Sequence, residues 1–287
     1  SILEGCGQIN EVEKFRFFGL IISNIFLWIA IFFNFGLWSL ALSWSIRVLR
    51  DLYFLIFKYR KFFVSLLKIK SNKYNINWKK DILPVQWQLG LSGLFSYFLF
   101  HSINPIVFNF RGAEDAGKIG MSLQISEFLR QLCNKWVGAK RPKMGKLLAR
   151  KKFKHLELLY KRVLYICVLI SVVGAAGILF LVWGLSFFEL NVSNRIVDLL
   201  SFVLILLAVI AISIEANQVN YLRIFLVEKV VSLSVVTSLM MASLVVFLTN
   251  NYGIRGASFA YFFVMVCISL PWLTYIKFKF KASRNLL

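Results

Sequence analysis

Apolar residues in this chain come in long blocks rather than at alternating positions, with short basic or polar segments between the blocks. A helix needs about 20 such residues to cross about 30 Å of hydrocarbon. Eight blocks have this character, over residues 15–35, 37–57, 82–108, 114–137, 159–183, 196–221, 229–249 and 256–277. Period-2 alternation is absent from them, which argues against a transmembrane barrel. The pattern predicts an all-α integral membrane protein with eight membrane-spanning helices.

Composition agrees with that reading. Of 287 residues, 59% are hydrophobic and only 16% charged, with a mean hydropathy of +0.72. A soluble domain carries about 25% charged residues. The net charge of +21 by itself would suit a nucleic-acid binder, since clustered Lys and Arg attract phosphate backbones. Here the cations lie between apolar blocks, so they are assigned to loops at a membrane surface and no nucleic-acid partner is expected.

Lys and Arg are retained on the cytoplasmic side of a membrane, and their distribution therefore orients the chain. Three segments are rich in them: residues 58–80 (Lys58, Arg60, Lys61, Lys68, Lys70, Lys73, Lys79 and Lys80), residues 135–162 (KWVGAKRPKMGKLLARKKFKHLELLYKR), and the tail with Lys277, Lys279, Lys281 and Arg284. The alternate connections near Phe35, Gly112, Glu189 and Asn251 carry chiefly Arg111, Arg195 and Arg255. Eight crossings then place both ends of the chain in the cytoplasm. The stretch 135–162 serves as a topology signal against anionic headgroups, or as a gate or collector for an anionic substrate, and the two roles are compatible.

The opening residues SILEGCGQINEVEKFR contain neither an initiator Met nor a signal-peptide pattern, so the chain is expected to be the C-terminal part of a longer protein. Residues 58–80 are basic and partly amphipathic, suited to a linker lying on the membrane face. The expected organisation is residues 1–57 as the last part of an N-terminal lobe, 58–80 as the linker, and 81–287 as a six-helix lobe.

Polar side chains inside the spans are the informative ones, because a charge at the bilayer centre costs about 2.5–3.5 kcal/mol on insertion scales and faces a partner or a wet cavity. In the fourth span Gln124, Glu127, Gln131 and Asn134 recur at spacings of three, four and three, which puts them on one helical face, with Arg130 flanking it. Ser39, Ser43, Arg47 and Arg50 form a weaker stripe on the second span. Glu215, Asn217, Gln218, Asn220 and Arg223 cluster near one end of the sixth, and Gln88, Ser92 and Ser96 share a ridge of the third. These residues either line a central hydrophilic cavity or hydrogen-bond between helices.

Other chemistry finds little support. Cys6, Cys133, Cys167 and Cys267 are isolated, as are His101 and His155, so neither a disulfide framework, a zinc site nor a cofactor is indicated. No Walker motif occurs, and no carboxylate pair stands at catalytic spacing. The expectation is a transporter rather than an enzyme.

The segments WKKDILPVQWQLGLSGLFSYFLF, FRGAEDAGKIGMSLQI, KWVGAKRPKMGKLLARKKFKHLELLYKR and NNYGIRGASFAYFF, in this order, resemble the second lobe of a polysaccharide or O-antigen translocase of the multidrug, oligosaccharidyl-lipid and polysaccharide exporter superfamily. A family motif of the kind P-x-x-G/S-x-L-x-A is matched by Pro142, Gly145, Leu147 and Ala149, and a YGIxGA element by Tyr252, Gly253, Ile254, Gly256 and Ala257. The resemblance implies two six-helix lobes, of which this chain would lack about the first four helices, in the bacterial inner membrane. It implies a polyprenyl-diphosphate-linked oligosaccharide as substrate, moved by alternating access, with a polysaccharide polymerase and a chain-length regulator as partners beside the membrane lipids. On that comparison Arg47, Arg50, Arg130 and Arg223 would contact diphosphate or the sugar path, because the guanidinium fork donates paired charge-assisted bonds. Gln124, Gln131, Asn134, Asn217 and Asn220 would line the glycan path, and Glu127 and Glu215 would be candidates for ion coupling. The alternatives are a cation-coupled drug or metabolite antiporter of the same superfamily and a membrane-embedded glycan polymerase or acyltransferase.

Overall fold

A computed structural model describes residues 9–68, 77–188, 195–225 and 230–283. Among these residues there is no strand, and the chain is an all-α, multi-pass membrane protein. Among the described residues five stretches are long and apolar enough to cross a membrane: Glu11–Phe32, Gln86–Arg111, Phe153–Phe187, Leu199–Ile224 and Val231–Ser283. Their outward faces carry large apolar side chains in the open, such as Trp28, Phe180 and Leu181 at 68%, 70% and 65% exposure, a cost that lipid rather than water removes.

The chain divides between Asn77 and Trp78 into two compact units. In the first, α1 (Ile9–Phe32) and α2 (Trp38–Tyr53) form a helical hairpin, followed by a π-helical turn at Phe54–Lys58 and α3 (Arg60–Lys68). Helix α1 ends in a Schellman turn: Phe35 N–H bonds Ala30 C=O and Asn34 N–H bonds Ile31 C=O, with Asn34 in the left-handed region at φ 59°. The expected linker reaches into residues 69–76, and the opening SILEGCGQ covers residues 1–8; both lie outside the described residues, as do residues 189–194 and Arg284.

The second unit holds α4 (Leu83–His101), α5 (Ile103–Arg111), α6 (Ala113–Ala149), α7 (Phe153–Phe187), α8 (Leu199–Ile224), α9 (Val231–Phe262) and α10 (Leu270–Ser283). Its two apolar cores lie one above the other. One includes Val107, Ile119, Phe202, Met241 and Val264, the other Cys167, Tyr160, Leu222 and Leu273. Gly112, at φ 86°, turns the chain from α5 back into α6.

The basic stretch 135–162 is not an extended loop. Helix α6 runs on to Ala149 past Pro142, and α7 starts at Phe153, so each helix continues well beyond its expected end at residue 137 or 159. Leu, Lys, Arg and Met are good helix formers, and apolarity alone does not mark where such a helix stops. Between them Lys152 N–H bonds Leu147 C=O and Lys151 N–H bonds Leu148 C=O, a second Schellman turn with Lys151 at φ 55°. Helix α6 at 37 residues is about 55 Å long, far more than the hydrocarbon thickness, and its last turns form with the start of α7 a basic two-helix projection.

Helix α9 contains a reversal that explains the YGIxGA element. Gly253 adopts φ 63°, ψ −140°, which no side-chain-bearing residue tolerates well. A Cβ on Gly256 would stand 2.1 Å from the carbonyl oxygen of Leu248. In a continuous helix residues eight apart are separated by about 12 Å, so the chain has doubled back and only glycine fits where its legs touch. Arg111 donates to the carbonyls of Thr249 and Asn250 at 3.3 Å each, capping the first leg with a cation. Ala257 and Ala260, fully buried, pack the returning leg. Ahead of Pro271 the helix widens into a π-helical stretch, Phe263–Ser269, which gives room where the proline ring removes a hydrogen bond.

Candidate functional site

The two cores of the second unit separate around a cavity of about 350 Å³. Leu99, Ile212 and Met265 of one core and Val230, Leu233 and Leu273 of the other contribute apolar lining. Between them the wall is polar. Helix α4 contributes Ser92 and Ser96; α6 contributes Arg130, Asn134 and Arg141; α8 contributes Glu215, Asn220 and Arg223; α9 contributes Ser234 and Thr237; and the π-helical stretch contributes Ser269.

These positions follow from helical geometry. Residues 130, 134 and 141 are spaced by four and seven, and 215, 216, 219, 220 and 223 by steps of one, three or four, so each set lies along one side of its helix. Ser92 and Ser234 share a hydrogen bond at 3.2 Å across the α4–α9 contact, both buried. Ser and Thr hydroxyls here also bond back to their own helix, as Thr237 does to Leu233 C=O at 2.7 Å, which satisfies them without a ligand.

The cations are held by specific partners. The Arg130 guanidinium forks onto Glu127, Nε to Oε2 and Nη2 to Oε1, each at 2.5 Å, and lies 4.9 Å from the centroid of the Phe100 ring. Gln131 adds a bond to the same carboxylate at 3.2 Å. Arg141 donates to the Asn220 side-chain oxygen, tying α6 to α8, while Asn220 donates to Ala216 C=O at 2.8 Å. Glu215 is different: its carboxylate meets the Ser269 hydroxyl, but its buried Oε1 has no hydrogen-bond partner among the described residues. The lining therefore sets three guanidinium groups against one carboxylate.

Of the residues singled out from the sequence, Arg130, Asn134, Asn220 and Arg223 line this cavity, and Glu127 stands behind Arg130. Gln124 and Gln131 are exposed and do not line it. Asn217 is buried at 1% exposure away from the lining, and neither of its amide atoms has a hydrogen-bond partner among the described residues. Arg47 and Arg50 belong to the first unit. Arg47 stacks on Trp44, whereas Arg50 lies against Gly19 of α1, over the Phe15 ring at 4.7 Å and bonded to Asp51. Ser43 of the same stripe donates to Ser23 C=O at 3.1 Å, so this stripe packs on α1.

Sequence reasoning missed Arg141, Ser234, Thr237 and Ser269. A signal for Arg141 existed in its spacing from Arg130 and Asn134, but it was hidden by assigning residues beyond 137 to a loop. Comparison of the chain with protein-family models, curated proteins and solved structures gives no match.

Proposed function

We propose that this chain belongs to a flippase that carries a polyprenyl-diphosphate-linked oligosaccharide, an O-antigen or related polysaccharide repeat unit, across the bacterial inner membrane. The observation that carries the reading is the polar cavity between two apolar cores, with Arg130, Arg141 and Arg223 outnumbering Glu215. Arginine forks suit diphosphate, and the surrounding serine, threonine and asparagine side chains offer bonds to sugar hydroxyls. An anion entering the cavity would share or take over donors now bonded to Glu127 and Asn220, and the guanidinium excess would offset its charge. The prenyl tail stays in lipid, and the bundle rocks to expose the cavity to either side of the membrane. Eight crossings, with both chain ends in the cytoplasm, put the basic α6–α7 projection on the side where the substrate is made. The mechanism is transport, with no covalent step.

A second reading draws on one observation, the unpartnered Oε1 of Glu215. A lone carboxylate in such a cavity suits a cation, as in a drug or metabolite antiporter coupled to an ion. Proteoliposomes decide between them. Protection of a lipid-linked oligosaccharide from an external glycan-modifying enzyme is followed with the chain joined to its upstream helices, unaltered and with Arg130→Ala, Arg141→Ala and Arg223→Ala. Movement that falls at least tenfold in the arginine variants, about 1.4 kcal/mol each, supports the flippase. Movement of a cationic dye that depends on Glu215, with the oligosaccharide stationary, gives the antiporter instead.

A further inference from the structure

Near the basic end of the second unit, α7 and α10 both pack on α8, and Lys277 and Lys281 of α10 stand beside Tyr160 and Glu157 of α7. Lys281 donates to Glu157 Oε1 at 2.5 Å, and the Tyr221 hydroxyl approaches Oε2 at 3.4 Å. Both oxygens of Glu157 are thus engaged. Lys277 donates to the Tyr160 hydroxyl at 2.7 Å and its ammonium lies 4.1 Å from that ring's centroid. A neutral phenol supplies no countercharge, and two of the three ammonium donors remain for another acceptor. Lys161, one helical turn beyond Glu157 on α7, is exposed and lies on the same face of that helix.

The direction of Lys277 matters. A lysine that merely snorkels sends its head to water, whereas this one turns inward to Tyr160, itself 1% exposed. Lys281 is similarly withdrawn, at 9% side-chain exposure. The withdrawn Lys277 and Lys281, with exposed Lys161 beside them, set three positive charges against the one negative charge of Glu157, an excess that one compact anion would neutralise.

We propose that Lys277, Lys281 and Lys161 form a binding site for one phosphate group, supplied by the headgroup of an anionic phospholipid or by a soluble phosphate-bearing ligand. Lysine ammonium groups are point charges with rotatable donors, and a tetrahedral phosphate offers acceptors in several directions. The site rests on the multi-pass membrane reading and sits beside the basic α6–α7 turn, where that reading puts the anionic headgroups.

Nanodiscs of phosphatidylcholine, alone or mixed with phosphatidylglycerol, test it through the lipid that stays bound after detergent extraction, counted by native mass spectrometry. The unaltered protein retains phosphatidylglycerol over phosphatidylcholine, and Lys277→Gln lowers that preference about fivefold, the worth of one lysine near an anionic surface. Lys161→Gln, on an exposed position that disturbs no packing, lowers it as well. Lys151→Gln at the projection's tip leaves it unchanged. Inorganic diphosphate added to phosphatidylcholine nanodiscs separates the sources: if it raises the unfolding midpoint of the unaltered protein but not of Lys277→Gln, the ligand is soluble, and if only phosphatidylglycerol does so, it is lipid. Equal retention by the unaltered protein and both site variants overturns the site. Because this readout is binding, its failure leaves the transport reading standing, and failed transport leaves the site standing.

Discussion

Replacing Gly256 by alanine puts a methyl group where the two legs of the α9 reversal touch. Its carbon would stand 2.1 Å from Leu248 O, 2.5 Å from Leu248 C and 3.1 Å from Leu248 Cβ. Two of these atoms are backbone, so no side-chain rotation relieves the clash, and the legs must part by about 1 Å to reach an ordinary contact distance. Overpacking of this kind costs about 1–3 kcal/mol, against which alanine's better helix propensity returns up to about 1 kcal/mol. A net loss of about 2 kcal/mol lowers the unfolding midpoint of a protein of this size by about 5 °C. The molecule carries its own reporter. Cys133 and Cys167 are fully buried and become reactive to a thiol dye as the bundle opens. Gly138→Ala is the control, because a methyl group there meets nothing within 4 Å. It gains about 1 kcal/mol of helix propensity and shifts the midpoint upward. If Gly256→Ala moves the midpoint up as Gly138→Ala does, the legs do not meet at Leu248 and the reversal is wrong.

Further outcomes follow from the same side chains. Asn217→Leu removes two buried amide atoms that have no partner, so it raises the midpoint, by about 1–3 kcal/mol of relieved desolvation, and leaves transport intact; loss of transport would return Asn217 to the substrate path. Arg111→Ala leaves the carbonyls of Thr249 and Asn250 uncapped and costs about 1 kcal/mol in the same melt, while a midpoint equal to that of the unaltered chain would show that water caps them equally well. Arg130→Gln costs more alone than together with Glu127→Gln, because the single change strands a half-buried carboxylate. Additive effects in that double-mutant cycle would contradict the forked pair.

Local chemistry explains how much was legible beforehand. Lipid-length apolar blocks need no tertiary information, since an apolar helix must meet lipid or another helix whatever its neighbours are. The glycines of the YGIxGA element were visible, but their reason was not. Only the returning leg shows that Gly253 supplies a positive φ and that Gly256 leaves room for Leu248. Helix ends were misjudged at residues 137 and 159 because hydropathy falls at the membrane surface while the hydrogen-bonded helix continues to Ala149 and resumes at Phe153.

The sequence by itself determined that this is an all-α membrane protein and which side chains share a helical face, because both depend on spacing along one element. It could not determine what each face meets. Ser43 and Asn134 each sit on a polar stripe of similar spacing, yet Ser43 packs on α1 and Asn134 opens on a cavity. The same limit separates Arg130, inside the cavity wall, from Gln131, one residue and about 100° further round the helix and exposed. Helix rotation is set by contacts among residues far apart in the chain, and those exist only once the bundle has packed.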